Sequence, residues 1–178
     1  AERVLSDLEN SQPVAGAEII TLAWHVNLWD SFTWKDEFSS PFFTQRQVIY
    51  SRSLNIGEIY TPQMFVDGTT HFIGSKHDKA AKAVAQAIKM PKAEINLSLD
   101  ADKLSVEIQN LPKRQAATVY LALTEDKLVR RLERGNNAGK TMEYPSVARS
   151  IHPVATVDAQ TAQFKAETYL QLQPEWRK

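Results

Sequence analysis

The sequence predicts an α/β fold in its first half, followed by a small antiparallel β-sandwich-like domain. Two observations point to this division. Up to residue 89, apolar side chains recur at helical spacing around a run at residues 18–26 that is apolar on both faces. After Pro91 the hydrophobic period changes from 3.6 to 2, which is typical of strands. We therefore expect two domains, residues 1–90 and residues 92–178.

The first predicted elements are a helix, a strand and a loop. Residues 2–10 place three apolar side chains on one helical stripe, namely Val4, Leu5 and Leu8. Residues 18–26 follow as a strand, and a strand that is apolar on both faces suits a sheet covered by helices. Residues 27–43 are rich in aromatic and turn-forming residues, which indicates a long ordered loop with short helical turns.

A helix, a hairpin and a second helix come next. Residues 45–54 predict a helix whose inward-facing residues are Val48 and Ile49. The strand at residues 63–66 ends in an Asp-Gly dipeptide, a strong signal for a hairpin turn, and residues 70–73 return as its partner. The following helix runs to Lys89 with Ser75 as its expected N-cap. Its predicted buried stripe consists of Ala80, Val84, Ala87 and Ile88.

The second half predicts only strands. A solvated antiparallel hairpin is indicated by two alternating apolar rows around a turn at residues 100–102. The rows are Ile95, Leu97 and Leu99, then Leu104, Val106 and Ile108. Residues 117–123 predict a further strand with residues 127–132 as its partner. Two later strand candidates are residues 147–157 and 164–172.

Composition excludes several functions without indicating one. The 178 residues contain 21 Lys and Arg, 21 Asp and Glu and no cysteine, so the formal net charge is zero. Zero net charge gives no long-range attraction to nucleic acid. No run of 18 apolar residues occurs, so we expect no membrane-spanning helix. The absence of cysteine removes disulfides, thiolate nucleophiles and cysteine metal ligands from this chain.

The order of the first-half elements resembles the thioredoxin fold without its first strand. In that fold a proline in cis begins the third strand and faces the catalytic dithiol. Thr61-Pro62 occupies the corresponding place, ahead of the strand, the Asp-Gly turn, the second strand and the helix. A cis X-Pro bond costs only about 0.5–1 kcal/mol over trans, so a fold can enforce it locally.

Three segments carry a more specific resemblance. They are AWHVNLWD at residues 23–30, followed by WKD at 34–36 and SP at 40–41; YTPQMFVDG at residues 60–68; and ERGNNAGKT at residues 133–141, followed by VAR at 147–149. Together they resemble the secreted, thioredoxin-like family of domains of unknown function numbered 1223, over nearly the whole chain. No activity is established for that family.

The resemblance implies more than these 178 residues contain. Family members usually begin with a signal peptide, followed by a strand and a cysteine-containing turn that ends in two prolines. We therefore expect the native protein to be periplasmic or secreted, to carry these segments before Ala1, and to continue for a further strand or two. Asn27 departs from the family pattern, which usually has an acidic residue there.

Two functions of different classes remain open at this point, and neither requires a cofactor. The first is thiol–disulfide exchange by the full-length protein on a protein or peptide substrate, in which a thiolate attacks a substrate disulfide. That chemistry depends on an upstream cysteine, because this chain has none. The alternative is a non-catalytic module that binds a peptide, a sugar or a partner protein. A structural role in the cell envelope is a third possibility, and the oligomeric state is open.

Three residues are candidates for the catalytic pocket. His25 lies at the carboxyl end of a predicted strand, where open α/β sheets build their sites, and could orient a thiol or hydroxyl as a base. It could equally be a core histidine bonded to the backbone. By the family resemblance, Thr61 and Pro62 would flank the same pocket, and otherwise they simply begin an edge strand.

The aromatic loop supplies the candidate binding residues. Trp24, Trp29 and Trp34 recur every five residues, and exposed aromatic rings can stack on a peptide or a sugar. The competing interpretation is that they pack the loop against the β half. Asp30 and Asp67 complete the candidate binding set.

Metal and nucleotide sites are not supported by the sequence. The spacing of Asp30, Asp36, Asp67, His71 and His77 matches no metal-ligand template. The segment at residues 135–141 imitates a phosphate-binding loop, but it is one residue short and leads into Tyr-Pro instead of a helix. The neighbouring basic residues predict a solvated face; they are Arg130, Arg131, Arg134, Lys140 and Arg149. Hydrolase and dehydrogenase motifs are lacking as well.

Overall fold

A computed structural model describes residues 1–32, 34–112, 116–133 and 137–176. These residues form mixed α/β structure with three α-helices and several antiparallel sheets, which confirms the predicted α/β class. The helices are α1 (Glu2–Ser11), α2 (Pro41–Ser53) and α3 (His77–Ala87). The strands are β1 (Gln63–Val66), β2 (Thr70–Ile73), β3 (Glu94–Asp100), β4 (Lys103–Gln109), β5 (Ala117–Glu125), β6 (Leu128–Arg131), β7 (Thr141–Tyr144), β8 (Val147–Val157) and β9 (Phe164–Tyr169).

The chain forms two compact units. The first contains Ala1–Lys89 together with Thr124–Arg149, and the second contains Met90–Leu123 together with Ser150–Lys178. This grouping differs from the boundary expected near Pro91, because residues 124–149 return to the first unit. The division into a domain of residues 1–90 and a domain of residues 92–178 stays a prediction.

The core of the first unit joins α1, the β1–β2 hairpin and α3. Its buried residues are Val4, Leu8, Met64, Phe72 and Ala80. The hairpin has the predicted turn, in which Asp67 and Gly68 both adopt positive φ, 47° and 65°. The Thr61-Pro62 peptide that leads into β1 is cis, as expected.

The predicted strand at residues 18–26 does not form a ladder. Within the described residues, this segment is extended and makes two isolated parallel bridges, Ala23 with Val147 and Val26 with Ser40. Near its start, the backbone of Ile19 forms hydrogen bonds with a side chain and not with another strand. Ile19 N–H donates to Gln12 Oε1 at 2.7 Å, and Gln12 Nε2 donates to Ile19 O at 3.0 Å. An extended apolar segment therefore occurs here without continuous strand pairing.

Helix α2 begins four residues earlier than predicted and buries a different face. Ser40 is its N-cap, because its side chain accepts a hydrogen bond from Phe42 N–H, and Pro41 occupies the first turn. The buried residues are Phe43, Gln47 and Ser51, spaced four apart. The inward orientation predicted for Ile49 is wrong, since its side chain is 58% exposed.

Helix α3 begins later than predicted. Its N-cap is Lys76, which provides no side-chain cap, so the assignment of Ser75 as N-cap is wrong. Ala80 and Val84 are buried as expected, whereas Ile88 lies beyond the last helical residue and is exposed. The first turn still carries Asp78, whose negative charge is favourable at a helix N-terminus.

The second unit contains the predicted hairpin. β3 and β4 pair antiparallel, and β9 pairs with the other edge of β4. Leu104, Val106 and Ile108 of β4 are buried and pack against residues that include Val119 and Leu121 of β5. The three apolar residues of β3 are exposed instead.

One predicted strand pairing is wrong. β6 pairs with β7, which was not anticipated as a strand, and β5 pairs with β8. Lys127 adopts a positive φ of 53° at the break between β5 and β6, and Leu132 bonds back to Lys140 and Gly139. β6 is therefore held by the chain that follows it, not by the strand that precedes it.

None of the helices in the described part of the chain has the length and hydropathy needed to cross a bilayer.

Because Leu8 is buried in the core of the first unit, we expect its truncation to lower stability strongly. We expect Leu8→Ala to lower the free energy of unfolding of the first unit by about 2–5 kcal/mol, because it leaves a cavity beneath α1. Urea unfolding followed by tryptophan fluorescence would measure it. Ile20→Ala is the control, with an expected change within about 0.5 kcal/mol, since Ile20 is exposed. Equal effects in the two variants would contradict this packing.

Candidate functional site

A histidine and an aspartate form the centre of the candidate site. His25 Nδ1 lies 2.6 Å from Asp36 Oδ2, and both side chains are largely buried. An ionised carboxylate only accepts hydrogen bonds, so Nδ1–H is the donor and Nε2 is the ring nitrogen left to interact elsewhere. The other carboxylate oxygen accepts the N–H of Phe38 at 3.0 Å and lies 3.6 Å from Arg130 Nη1.

This surrounding keeps Asp36 ionised. Burial by itself raises the pKa of Asp36, but the hydrogen bonds from His25 and from Phe38 N–H outweigh it, with added attraction from His25 and Arg130. The resulting pKa lies below the ordinary value. The ionised Asp36 fixes the orientation of the imidazole through the hydrogen bond to Nδ1.

Aromatic rings enclose the imidazole. The rings of Phe38 and Tyr144 meet His25 edge to face, with centroids 5.5 Å and 5.2 Å away. Burial and the negative charges of Asp36 and Glu2 raise the pKa of Tyr144. Tyr144 is therefore a neutral hydrogen-bond donor or acceptor near neutral pH.

The loop after His25 is folded by its own side chains. Ser40 N–H donates to His25 O at 3.1 Å, which ties the end of the extended segment to the start of α2. Asp30 accepts hydrogen bonds from Asp36 N–H at 3.1 Å and from Ser39 Oγ at 2.7 Å. The predicted binding residue Asp30 thus organises the loop that carries Asp36.

Trp29 and Thr61 form a second part of the site. Trp29 Nε1–H donates to Thr61 Oγ1 at 2.9 Å, although the indole itself is exposed. Gln47 holds the backbone beside them, because its Nε2 donates to Tyr60 O at 2.9 Å and to Gln63 Oε1 at 2.7 Å. The peptide between Tyr60 and Gln63 is therefore fixed from the α2 side.

The start of α1 lies next to Pro62. A β-carbon built on Gly74 would lie 3.5 Å from Pro62 Cβ and 3.7 Å from Ala1 Cβ, so both residues border the same glycine. Gly74 N–H also donates to Pro62 O at 2.9 Å. Glu2, the first residue of α1, is close enough to His25 for their charges to interact.

The remaining predicted binding residues are placed differently. Trp24 is half-buried, with its ring 5.0 Å from Phe43 and the Arg46 guanidinium 5.2 Å from its centroid. Trp34 is also half-buried and bridges back to Ser31. Asp67 lies at the tip of the β1–β2 hairpin, at the opposite end of β1 from Pro62. Of the predicted binding residues, Trp29 is the one whose exposed ring is bonded to Thr61.

Sequence reasoning missed several contributors to the site. Tyr144 and Arg130 come from the segment that returns to the first unit, and nothing local in the sequence indicates this. Arg130 lies 3.3 Å from Glu37, and Arg149 lies 3.2 Å from Glu125, so two members of the basic cluster are ion-paired and largely buried, not solvated. Arg134, Gly135 and Asn136, on which the phosphate-loop and basic-cluster interpretations partly rest, lie outside the described residues.

A metal centre finds no support in the residues that the structure describes. None of their His, Asp and Glu side chains form a group of three or more that could hold an ion. Asp30 and Asp36 are engaged in the loop, while His71 Nδ1 lies 3.0 Å from the Tyr60 hydroxyl.

The fold and this site define a mixed α/β protein with a buried histidine–aspartate pair beside an exposed tryptophan. The chain belongs to the family described as protein of unknown function (DUF1223), whose model matches residues 1–178. It is similar in fold to the crystal structure of protein AGR_C_4864 from Agrobacterium tumefaciens, a structural-genomics target, with a TM-score of 0.75 and 19% sequence identity. That match covers 94% of this chain and 70% of the other. No curated protein matches significantly.

The ionised Asp36 predicts a pH-dependent stability. Because the folded pKa lies below the unfolded value near 3.8, the stabilisation is present above that value and is lost as the pH falls through the folded pKa. We expect Asp36→Asn to flatten the fall in unfolding free energy below pH 4, measured by urea unfolding at successive pH values. The pKa of Glu2 is also lowered, so the part of the pH dependence that Glu2 contributes should remain in this variant.

Asp7→Asn is the matched control, because Asp7 is an exposed residue of α1. Its pH profile should follow that of the unchanged protein. A profile of Asp36→Asn that also follows the unchanged protein would show that the pair with His25 does not hold Asp36 ionised.

Proposed function

We propose that the first unit is a thioredoxin-like domain whose surface around Thr61-Pro62 binds an extended segment of a protein or peptide. The observation that carries this proposal is Trp29, which is 67% exposed and yet bonded through its indole N–H to Thr61. A large ring that is exposed and already fixed offers contact area at a small entropic cost on binding.

Further exposed apolar side chains lie on the loop that carries Trp29 and on the helix bonded to it. Leu28 and Phe32 flank Trp29 along the loop, and Phe42 lies in the first turn of α2. That turn is bonded to the 3-10 helix that carries Trp29, since Thr44 Oγ1 donates to Asn27 Oδ1 at 2.6 Å and accepts from Asn27 N–H at 3.0 Å. Grouped exposed apolar residues on a fixed support mark an interaction site more often than scattered ones do.

Binding to an unfolded protein tests this proposal. The probe is fluorescein-labelled α-lactalbumin that has been reduced and carboxymethylated, so it is extended and has no free thiol. We expect Trp29→Ala to weaken its binding by about 2 kcal/mol, or roughly 30-fold in Kd, as for a central aromatic contact. Fluorescence anisotropy measures the Kd.

Two further variants sharpen the result. Trp29→Phe keeps a ring but loses the hydrogen bond to Thr61, and its affinity should lie between those of the unchanged protein and Trp29→Ala. Val129→Ala removes an exposed apolar side chain from β6 and should leave the Kd unchanged. Equal losses in Trp29→Ala and Val129→Ala, or no binding by the unchanged protein, would refute the proposal.

A second candidate function is thiol–disulfide exchange in a form of the protein that supplies a cysteine near Ala1. The juxtaposition of Ala1, Gly74 and Pro62 favours it, because a thiol at the start of α1 would lie near the cis-proline. A helix N-terminus stabilises a thiolate, which is the attacking species. By the family resemblance, we place this activity in the periplasm or outside the cell.

Ala1→Cys tests whether this position favours a thiolate. We expect its thiol pKa to be lower than that of the same cysteine in the hexapeptide Cys-Glu-Arg-Val-Leu-Ser, because only the folded protein has the helix N-terminus. The pH dependence of alkylation by iodoacetamide gives both values, and the peptide controls for the α-amino group. An equal or higher pKa in the protein would count against thiol chemistry at this place.

A further inference from the structure

Strand β3 in the second unit presents an apolar row to solvent. Ile95, Leu97 and Leu99 are 60%, 63% and 56% exposed. Their antiparallel partners on β4 are Ile108, Val106 and Leu104, and partners in a ladder point to the same face of the sheet. The β4 residues are buried, so the apolar face that forms the core of this unit continues, uncovered, onto β3.

The outer edge of β3 is also open within the described residues. In its sheet β3 pairs only with β4, so alternate backbone N–H and C=O groups of its seven residues point away from the sheet. Natural edge strands are usually protected by lysine, proline or a bulge. Residues 94–100 contain no lysine, arginine or proline and pair with β4 in unbroken register.

The charges of β3 indicate what kind of strand fits against it. Its first and last residues, Glu94 and Asp100, are exposed acids, and Asn96 and Ser98 lie on their face between them. A second copy paired antiparallel along the whole strand would place Glu94 opposite Asp100 twice, and like charges directly opposite are destabilising. A partner with a basic residue at each end has complementary charge instead.

We propose that β3 accepts an extended strand of another protein, which has aliphatic residues at alternate positions and a basic residue at each end. The partner's backbone pairs with the open edge, and its aliphatic side chains extend the row of Ile95, Leu97 and Leu99. This surface belongs to the second unit and is independent of the function proposed for the first.

A designed heptapeptide tests this proposal. The probe is fluorescein-labelled Lys-Val-Thr-Val-Thr-Val-Lys with an amidated end, which places lysines opposite Glu94 and Asp100 and valines beside the apolar row. Two control peptides are Glu-Val-Thr-Val-Thr-Val-Glu, with reversed charge, and Lys-Thr-Val-Thr-Val-Thr-Lys, which turns its valines to the polar face. We expect both to bind at least about tenfold more weakly, a difference of ~1.4 kcal/mol. Backbone amide NMR shifts caused by the first peptide should be confined to β3 and its neighbour β4.

Variants of β3 complete the test. Leu97→Lys should weaken binding of the first peptide about tenfold by placing a charge in the apolar row, whereas Asn96→Lys adds the same charge on the polar face and should have a smaller effect. Both sites are exposed, and far-UV circular dichroism would verify the fold. Equal binding of the three peptides, shifts outside β3 and β4, or a dimer of the unchanged protein that Leu97→Lys dissociates would overturn the proposal.

Discussion

Two backbone hydrogen bonds at Ala23 are the constraint on which the candidate site depends. Ala23 N–H donates to Ser146 O at 2.8 Å, and Ala148 N–H donates to Ala23 O at 3.0 Å. Val147 between them is completely buried. His25 follows Ala23 by two residues, and the Tyr144 ring, from the chain just before the turn at Ser146, lies 5.2 Å from the imidazole. The backbone contact at Ala23 holds these two segments together. Without it, the pair of His25 and Asp36 would lose one wall of its enclosure.

A buried polar cluster reinforces the same contact. Glu9 Oε2 accepts hydrogen bonds from Thr21 Oγ1 at 2.9 Å and from Ser146 Oγ at 2.7 Å, and the two hydroxyls lie 2.8 Å apart. Ser146 N–H donates in turn to Asp126 Oδ1 at 2.8 Å. Hydrogen bonds to a carboxylate are stronger than neutral ones, and a partly buried network specifies one arrangement when its members are satisfied. The cluster therefore fixes α1, the extended segment and the turn before β8 in one position.

Elements that depend on interactions between neighbouring residues could be predicted from the sequence, whereas elements that depend on distant residues could not. The Asp-Gly turn and the β3–β4 hairpin follow from adjacent residues, and both were predicted. The run at residues 18–26 has the composition of a strand, but its bridge at Ala23 is made with a residue more than a hundred positions away, which no periodicity encodes. Asp36 reaches His25 through an irregular loop held by Asp30, so their spacing carries no signal either. Ile49 is apolar, but α2 buries Phe43, Gln47 and Ser51, two of which are polar, so hydrophobicity alone does not identify the buried face.

An exposed apolar side chain favours binding more when the folded protein already holds it in one position. Ile20 is more exposed than Trp29 or Leu97, but it lies outside the strands and helices that the described residues form. Trp29 is fixed by the hydroxyl of Thr61, and Leu97 is fixed by the ladder to a buried strand. In both cases the side chain loses part of its conformational entropy on folding, so less is lost on binding. Trp29 belongs to the first compact unit and Leu97 to the second.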